Sequence, residues 1–437
     1  MKSKWIIASL LIVALLAICG ASVYAVWVGA QMLQESGVHL KLGVQTTSAK
    51  ATEEKTVTVS GPAELSVAND FGDVNVVSGP DGKISVTVEK TAWGANEAQA
   101  QAALKDLKVN YDQRGNKLKI TVQQPVEVNT LQIGSGGGSF QFTIQVPKET
   151  AVTVNSSNGN LTLKGTSGQA DLQSEFGSLE LSDLTGEVFG QTSNGSVTAK
   201  NINSDQKVTL SSEFGKITAE NVRGSELTLN STNGQLYLTS LEASGELKAT
   251  SEYGPIMLRD SQAKTGVVGS NNGDVTLIKL TLTGKLSAKS EFGGLLLTGV
   301  KASAYELTTQ NGRIKADWAQ GPITAHSEFG EVEILNAENA TLNLSSNNGG
   351  VTFTGSLGAG PHQVTSEFGE LKLSLPAETA LQADLQTEFG EIKSDFDLTL
   401  AVKGEVDQKH LQGKINGGGP LLTVKTNNGN ILLKTLK

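Results

Sequence analysis

The sequence predicts an all-β protein: a single-stranded parallel β-solenoid (β-helix) with rungs of about 19 residues, one short helix inserted near its start, and an N-terminal transmembrane helix. Three observations predict it. Glycines recur every 18 to 21 residues from Gly159 to Gly390. Apolar and polar residues alternate on both sides of each glycine, the period-two mark of strands. A charge-free run from Trp5 to Val28 precedes all of this.

The run comes first in the chain. It is 24 residues long, and a bilayer-spanning helix needs about 20. Trp5 lies at one end and Tyr24 and Trp27 at the other, where an aromatic belt would sit. Lys2 and Lys4 favour a cytoplasmic N-terminus. The expected location is therefore the cell membrane, single-pass, with the C-terminal bulk extracytoplasmic. A cleaved signal peptide is the alternative, with Ala21, Ser22 and Ala25 near a cleavage point. Cys19 raises a lipoprotein reading, which the bulky Ile18 before it opposes. All three readings export the rest of the chain.

After this anchor or signal segment (1–30), residues 31–56 read as a polar linker. Residues 57–150 read as an N-terminal β region, either the start of the solenoid or a separate small domain. Asn69-Asp70-Phe71-Gly72 previews the repeat frame, and Ile84–Val88, Lys117–Val122 and Phe140–Val146 alternate as strands. Ala95–Lys108 is rich in Ala and Gln and reads as the inserted helix, while Gly134–Gly138 reads as a loop.

The repetitive solenoid proper spans 151–437. One unit reads Leu210-Ser211-Ser212-Glu213-Phe214-Gly215-Lys216-Ile217, and Leu229-Asn230-Ser231-Thr232-Asn233-Gly234-Gln235-Leu236 fits the same frame. The glycine is expected to supply a backbone shape that a side chain forbids, such as positive φ. Ser or Thr stands two places before the aromatic or Asn, so stacked strands would carry a hydroxyl ladder beside an apolar ladder of Leu172, Leu210, Leu229 and Val268. From Gly159 to Gly369 the residue before the glycine alternates strictly between Asn and an aromatic. Each aromatic follows a glutamate: Glu175, Glu213, Glu252, Glu291, Glu328, Glu367 and, one unit on, Glu388.

This alternation fixes the size of a rung. If two units made one rung, Glu would stack on Glu along the whole column, and like charges directly opposite are destabilising. One unit per rung places a neutral residue between them. Phe368 and Phe389 break the pattern, so Glu367 and Glu388 are expected as neighbours. Gly429 follows Gly390 by 39 residues, a gap that fits two units with the first degenerate. Lys434 and Lys437 then supply charge to a terminal edge strand. An antiparallel meander explains the alternation equally well but not the identical columns.

Composition narrows function. The net charge of −9 disfavours nucleic acid as partner. A single cysteine permits no intrachain disulfide or cysteine metal site. His39, His326, His362 and His410 show no metal-ligand spacing, and His326 reads as a surface substitution. No phosphate-binding loop, nucleophile elbow or calcium motif is present, so no catalytic residue and no cofactor is expected. The glutamate column is the one candidate surface. It reads as a solvated face or as carboxylates for calcium, a cationic glycan or a basic protein.

The segment Asn69–Val76, the strand Phe142-Thr143-Ile144-Gln145-Val146-Pro147 with Lys148-Glu149-Thr150 after it, and the many Asn-Gly units resemble the bacterial putative-adhesin family catalogued as DUF4097. The resemblance covers roughly 57–437. It implies a membrane segment followed by a β-solenoid, an adhesive role and no catalytic residues. The expected function is thus a non-catalytic extracytoplasmic surface protein, with an unidentified protein or glycan at the cell surface as partner. A membrane-anchored envelope-stress regulator is the alternative. A carbohydrate-active β-helix enzyme would need long inserted loops, for which repeats of 18 to 21 residues leave no room.

Overall fold

The computed structural model describes residues 39–42, 47–124, 130–133, 138–400 and 408–436. The expected membrane segment Trp5–Val28, with Cys19, lies outside the described residues, as do 134–137 of the glycine loop. Among the described residues no helix is long and apolar enough to cross a membrane.

Each repeat contributes one strand before the glycine turn and one after it. In one rung these are Val208–Ser212 and Ile217–Gly224, and in the next Leu227–Ser231 and Leu236–Ala243. The rungs pair in parallel, Leu210 with Leu229 and Ile217 with Leu236. Like residues therefore stack on like at one repeat per rung, as the charge argument requires, and a meander is excluded for these repeats. The expected apolar ladder is interior: Leu172, Leu210, Leu229 and Val268 are at most 2% exposed. The inward rows of each rung fill the core mostly with Leu, Val, Ile and Ala. Phe140, Phe142, Phe353 and Tyr305 are among the few buried aromatics, in keeping with an aromatic content of 5%.

The turn glycines are required for a different reason from the expected one. None of those from Gly159 to Gly390 has positive φ. A Cβ on Gly215 would instead stand 1.8 Å from the carbonyl oxygen of Gly195, and one on Gly234 1.7 Å from that of Gly215. Backbone lies against backbone, and hydrogen is the only side chain that fits.

The hydroxyl ladder ties the same glycines together. Ser290 Oγ donates to the Gly273 carbonyl of the preceding rung at 3.1 Å and accepts the Gly293 amide of its own rung at 3.0 Å. Ser212, Ser251, Ser270 and Ser346 repeat both bonds. Ser156 Oγ makes neither bond, and at that rung the Asn69 side-chain amide donates to the carbonyl of Gly72. Replacing the fully buried Ser290 with Ala strands a donor and an acceptor. It is expected to cost about 1–3 kcal/mol, read as lost amide-exchange protection in the Gly273 and Gly293 rungs. Glu213→Gln, on the surface, leaves protection unchanged.

Left-handed backbone appears elsewhere. Asp183, Asn201, Asn221, Ser240, Asp260 and Lys279 have φ between 49 and 58° and form one column where the second strand bends. Asn and Asp tolerate this conformation best. Asn221 donates to Asn201, and Asn201 to Asp183, each at 3.3 Å. Beyond the bend Ile202, Val222 and Leu241 turn inward again.

At the C-terminus the order of the chain and the order of the stack part. Leu421–Thr426 pairs in parallel with His362–Ser366 on one side and Leu381–Thr387 on the other. Ile431–Thr435 likewise lies between Leu371–Leu375 and Ile392–Ser394. The last rung of the sequence is thus inserted one place inside the stack, which corrects three expectations. Among the described residues no degenerate rung lies between Gly390 and Gly429: His410–Ile415 instead pairs antiparallel with Leu381–Thr387 and with Thr399–Leu400. The strand Ile431–Thr435 is no edge, and Lys434 faces Asp395 at 3.4 Å. Glu367 and Glu388 are not neighbours: the Asn428 amide bonds the Glu367 carbonyl, and the Phe389 amide bonds the Asn427 carbonyl. The alternation of aromatic and Asn is unbroken through the stack.

His362 is buried on the rung next to this insertion, where it pairs with Leu422. Its Nδ1 accepts the Leu342 amide at 3.3 Å and its Nε2 lies 3.2 Å from the Gly358 carbonyl. Burial lowers its pKa, the Gly358 bond opposing. A free histidine titrates near 6.5, so the unfolded chain binds the proton more readily. Stability is expected to be level above about pH 6.5 and to fall below it until the folded pKa is passed. His362→Gln should flatten that part of a pH–stability curve. Asp384 at the stack end is governed by burial, which raises its pKa, and by the stronger opposing effect of bonds from His410 (2.7 Å) and Gln412 and the charge of Lys425, which hold it below the usual range.

The described residues form two compact units, one of 39–42, 47–55, 87–111, 120–124, 130–133 and 138–141, the other of 56–86, 112–119, 142–400 and 408–436. The first holds the helix Glu97–Asp106, whose N-cap Asn96 accepts the Gln99 amide at 3.0 Å and whose Ala100 and Leu104 are buried. The helix is shorter at both ends than Ala95–Lys108. The expected linker 31–56 is partly strand: His39–Leu42 pairs in parallel with Thr130–Ile133, and Thr47–Thr58 is a strand throughout.

Candidate functional site

The surface that repeats most strictly is the turn around each glycine. Its backbone is a continuous ladder: the Phe214 amide donates to Ser193, Asn233 to Glu213, Tyr253 to Thr232 and Asn272 to Glu252. The ladder carries two kinds of side chain. Asn233 and Asn272 also donate through their side-chain amides to the Glu213 and Glu252 carbonyls below, at 3.3 and 3.2 Å. An aromatic in the same place has no such bond and stands in solvent. Phe214 is 62% exposed, Tyr253 59%, Phe292 58% and Phe389 71%; Phe71, Phe176, Phe329 and Phe368 behave alike.

The result is a row of exposed rings at every second rung, about 10 Å apart, with an Asn between each pair. Such a row is a periodic series of exposed rings, and its regularity, more than its area, marks it as the candidate surface. The sequence pattern marks the glutamates as a candidate surface, and the exposed rings beside them are a feature of the fold. The signal was present in the Ser-Glu-Phe-Gly frame itself: the Ser points inward, and the glycine leaves the aromatic nothing to pack on.

The glutamate column runs beside the rings. Glu175, Glu213, Glu252, Glu367 and Glu388 are exposed, and Glu291 and Glu328 half-buried. Glu291 lies 3.7 Å from Lys289; among the described residues the other six form no ion pair. Glu213 and Glu252 edge a shallow groove of about 630 Å³ on the outer face of the first strands, floored by Ser211, Asn230 and Thr250. Glu175 and Asp70 edge a second groove on the same face. The structure thus brings the column together as one continuous row. His326, expected as a surface substitution, is half-buried, with its Nδ1 2.8 Å from Ser345 Oγ of the next rung. Among the described residues no three His, Cys, Asp or Glu side chains are grouped to hold a metal ion.

These features define a parallel β-solenoid repeat protein with a periodic surface. The chain belongs to the Toastrack DUF4097 family, which matches residues 62–266 and 254–434. The two matches overlap inside a continuous stack, since Ile256–Ala263 pairs with a strand on either side. Among solved structures the chain is similar to a putative cell adhesion protein from Clostridium sporogenes, at 9% identity over 88% of this chain and 100% of that one, with a TM-score of 0.17. A putative adhesin from Bacteroides fragilis matches at 14% identity over 67% of this chain and 100% of that one, TM-score 0.32. One from Parabacteroides distasonis matches at 14% identity over 77% and 99%, TM-score 0.23. No curated protein matches the chain.

Proposed function

We propose that the chain is a non-catalytic extracytoplasmic surface protein, an adhesin or envelope interaction scaffold anchored through Trp5–Val28. It presents its regular edge to a protein or glycan at the cell surface. The observation that carries this reading is the exposed aromatic row. Rings held in register on a rigid stack give contact area without the entropy cost of ordering a loop. A catalytic site requires dissimilar groups converging at one place, whereas here every second rung repeats the same groups.

Intact cells displaying the chain, and cells displaying a Phe214→Ala/Tyr253→Ala/Phe292→Ala variant, test it. A membrane-impermeant amine label is expected to modify both, and binding to immobilised envelope material is expected of the first and lost in the second. No labelling of intact cells, or equal binding by both, contradicts the reading.

A further inference from the structure

The aromatic row has a period, and a period selects a ligand. Rings recur every two rungs, about 10 Å, and Asn side chains occupy the rungs between, about 5 Å from each. A polymer lying along this edge in register must advance by nearly one strand spacing per unit and present the same face at every second unit. A β-1,4-linked chain of pyranose sugars does both: each sugar spans close to one strand spacing and is turned over relative to the last. The apolar face of alternate sugars would meet a ring, and the turned-over sugars between would meet the Asn amides. An extended peptide, at about 3.3 Å per residue, places no residue at each rung. A polyproline helix, with three residues per turn at about 3.1 Å each, returns about every 9 Å and matches the rings, but it centres no residue on the Asn rungs between them, and it is the rival that the Lys-Pro-Pro peptide tests.

Charge narrows the class. Every ring from Phe176 to Phe389 follows a glutamate, and of that column only Glu291 has a basic partner among the described residues. A second copy of this chain would bring carboxylate rows together, which like charges oppose. An amine-bearing ligand would be drawn to the carboxylates, and ammonium groups also favour aromatic faces. Resting on the surface-protein reading, we infer that the turn edge from Phe176 to Phe389 binds a linear β-1,4-linked amino-sugar polymer with free amines, one sugar per rung and one ring per disaccharide.

Calorimetric titration of the full chain with glucosamine oligomers of two, four, six and eight sugars tests the inference, with fully acetylated oligomers and a Lys-Pro-Pro repeat peptide as comparisons. Affinity is expected to rise with each added disaccharide. Tyr253→Ala/Phe292→Ala, both at exposed positions, is expected to weaken binding of the longer oligomers about tenfold or more. Glu252→Gln/Glu328→Gln should weaken the free-amine oligomers and leave the acetylated ones unchanged. Absence of binding, affinity that does not depend on length, indifference to the aromatic variant, or binding of the peptide alone would each overturn the inference. If the chain still binds envelope material through the rings while no oligomer binds, the amino-sugar assignment fails and the surface-protein reading stands.

Discussion

Gly234→Ala is expected to cost more than about 4 kcal/mol, a loss reserved for changes that a core cannot absorb. The added methyl would stand 1.7 Å from the Gly215 carbonyl oxygen and 2.7 Å from Ser231 Oγ. A normal contact needs roughly twice the first distance, and the gap cannot open locally. The rung is held by the Asn233 amide to Glu213 below, at 2.7 Å, and by the Tyr253 amide to Thr232 above, at 2.9 Å. Separating the rungs breaks these ladders and the serine bonds with them. Gly61→Ala is the informative comparison. Gly61 has φ 91° with nothing within 4 Å of an added Cβ, so its replacement strains only the backbone, by about 1–2 kcal/mol. Amide exchange and urea unfolding should separate the two variants widely. Equal costs would mean that the turn glycines are kept for conformation and not for close approach.

That contrast also shows what a sequence can and cannot convey here. Identical columns imply a stack, and the like-charge argument applied to Glu175 through Glu367 sets one unit per rung; both follow from neighbours one repeat apart. Close approach of Gly215 to Gly195 is a relation between two backbones, and neither glycine reveals it alone. The left-handed bend is not legible in the sequence because its column mixes Asp183, Asn201, Ser240 and Lys279, which share a conformation and not a composition. The Glu column is legible in the sequence and the exposure of the rings beside it is not, since exposure depends on the turn's direction. The break at Phe368 and Phe389 was the trace of a strand exchange. An Asn-Gly unit was needed between them, and Asn428-Gly429 was the one left over.

Because that unit lies inside the stack, ending the chain after Gly418 is expected to do far more damage than trimming a solenoid's last rung. The deletion removes Leu422, Val424, Ile431 and Leu433, all fully buried, each contributing about 1.5–3 kcal/mol. It uncovers Val364, Leu371 and Leu373 on one side and Leu385 on the other. The Leu381–Ser394 rung could close the gap only by setting Glu367 against Glu388, an arrangement like charges oppose. The rung should instead detach together with the antiparallel strand His410–Ile415. Amide exchange is expected to show protection lost throughout 381–415 and retained in rungs before Gly349, with new proteolytic cleavage after Leu375. A peptide of residues 419–437 added in trans should restore protection by strand insertion, whereas truncation after Leu375 should leave nothing for it to bridge. Should amides of 381–394 stay protected without the last strands, the rung must pair directly with His362–Ser366 and the inserted order of the stack is wrong.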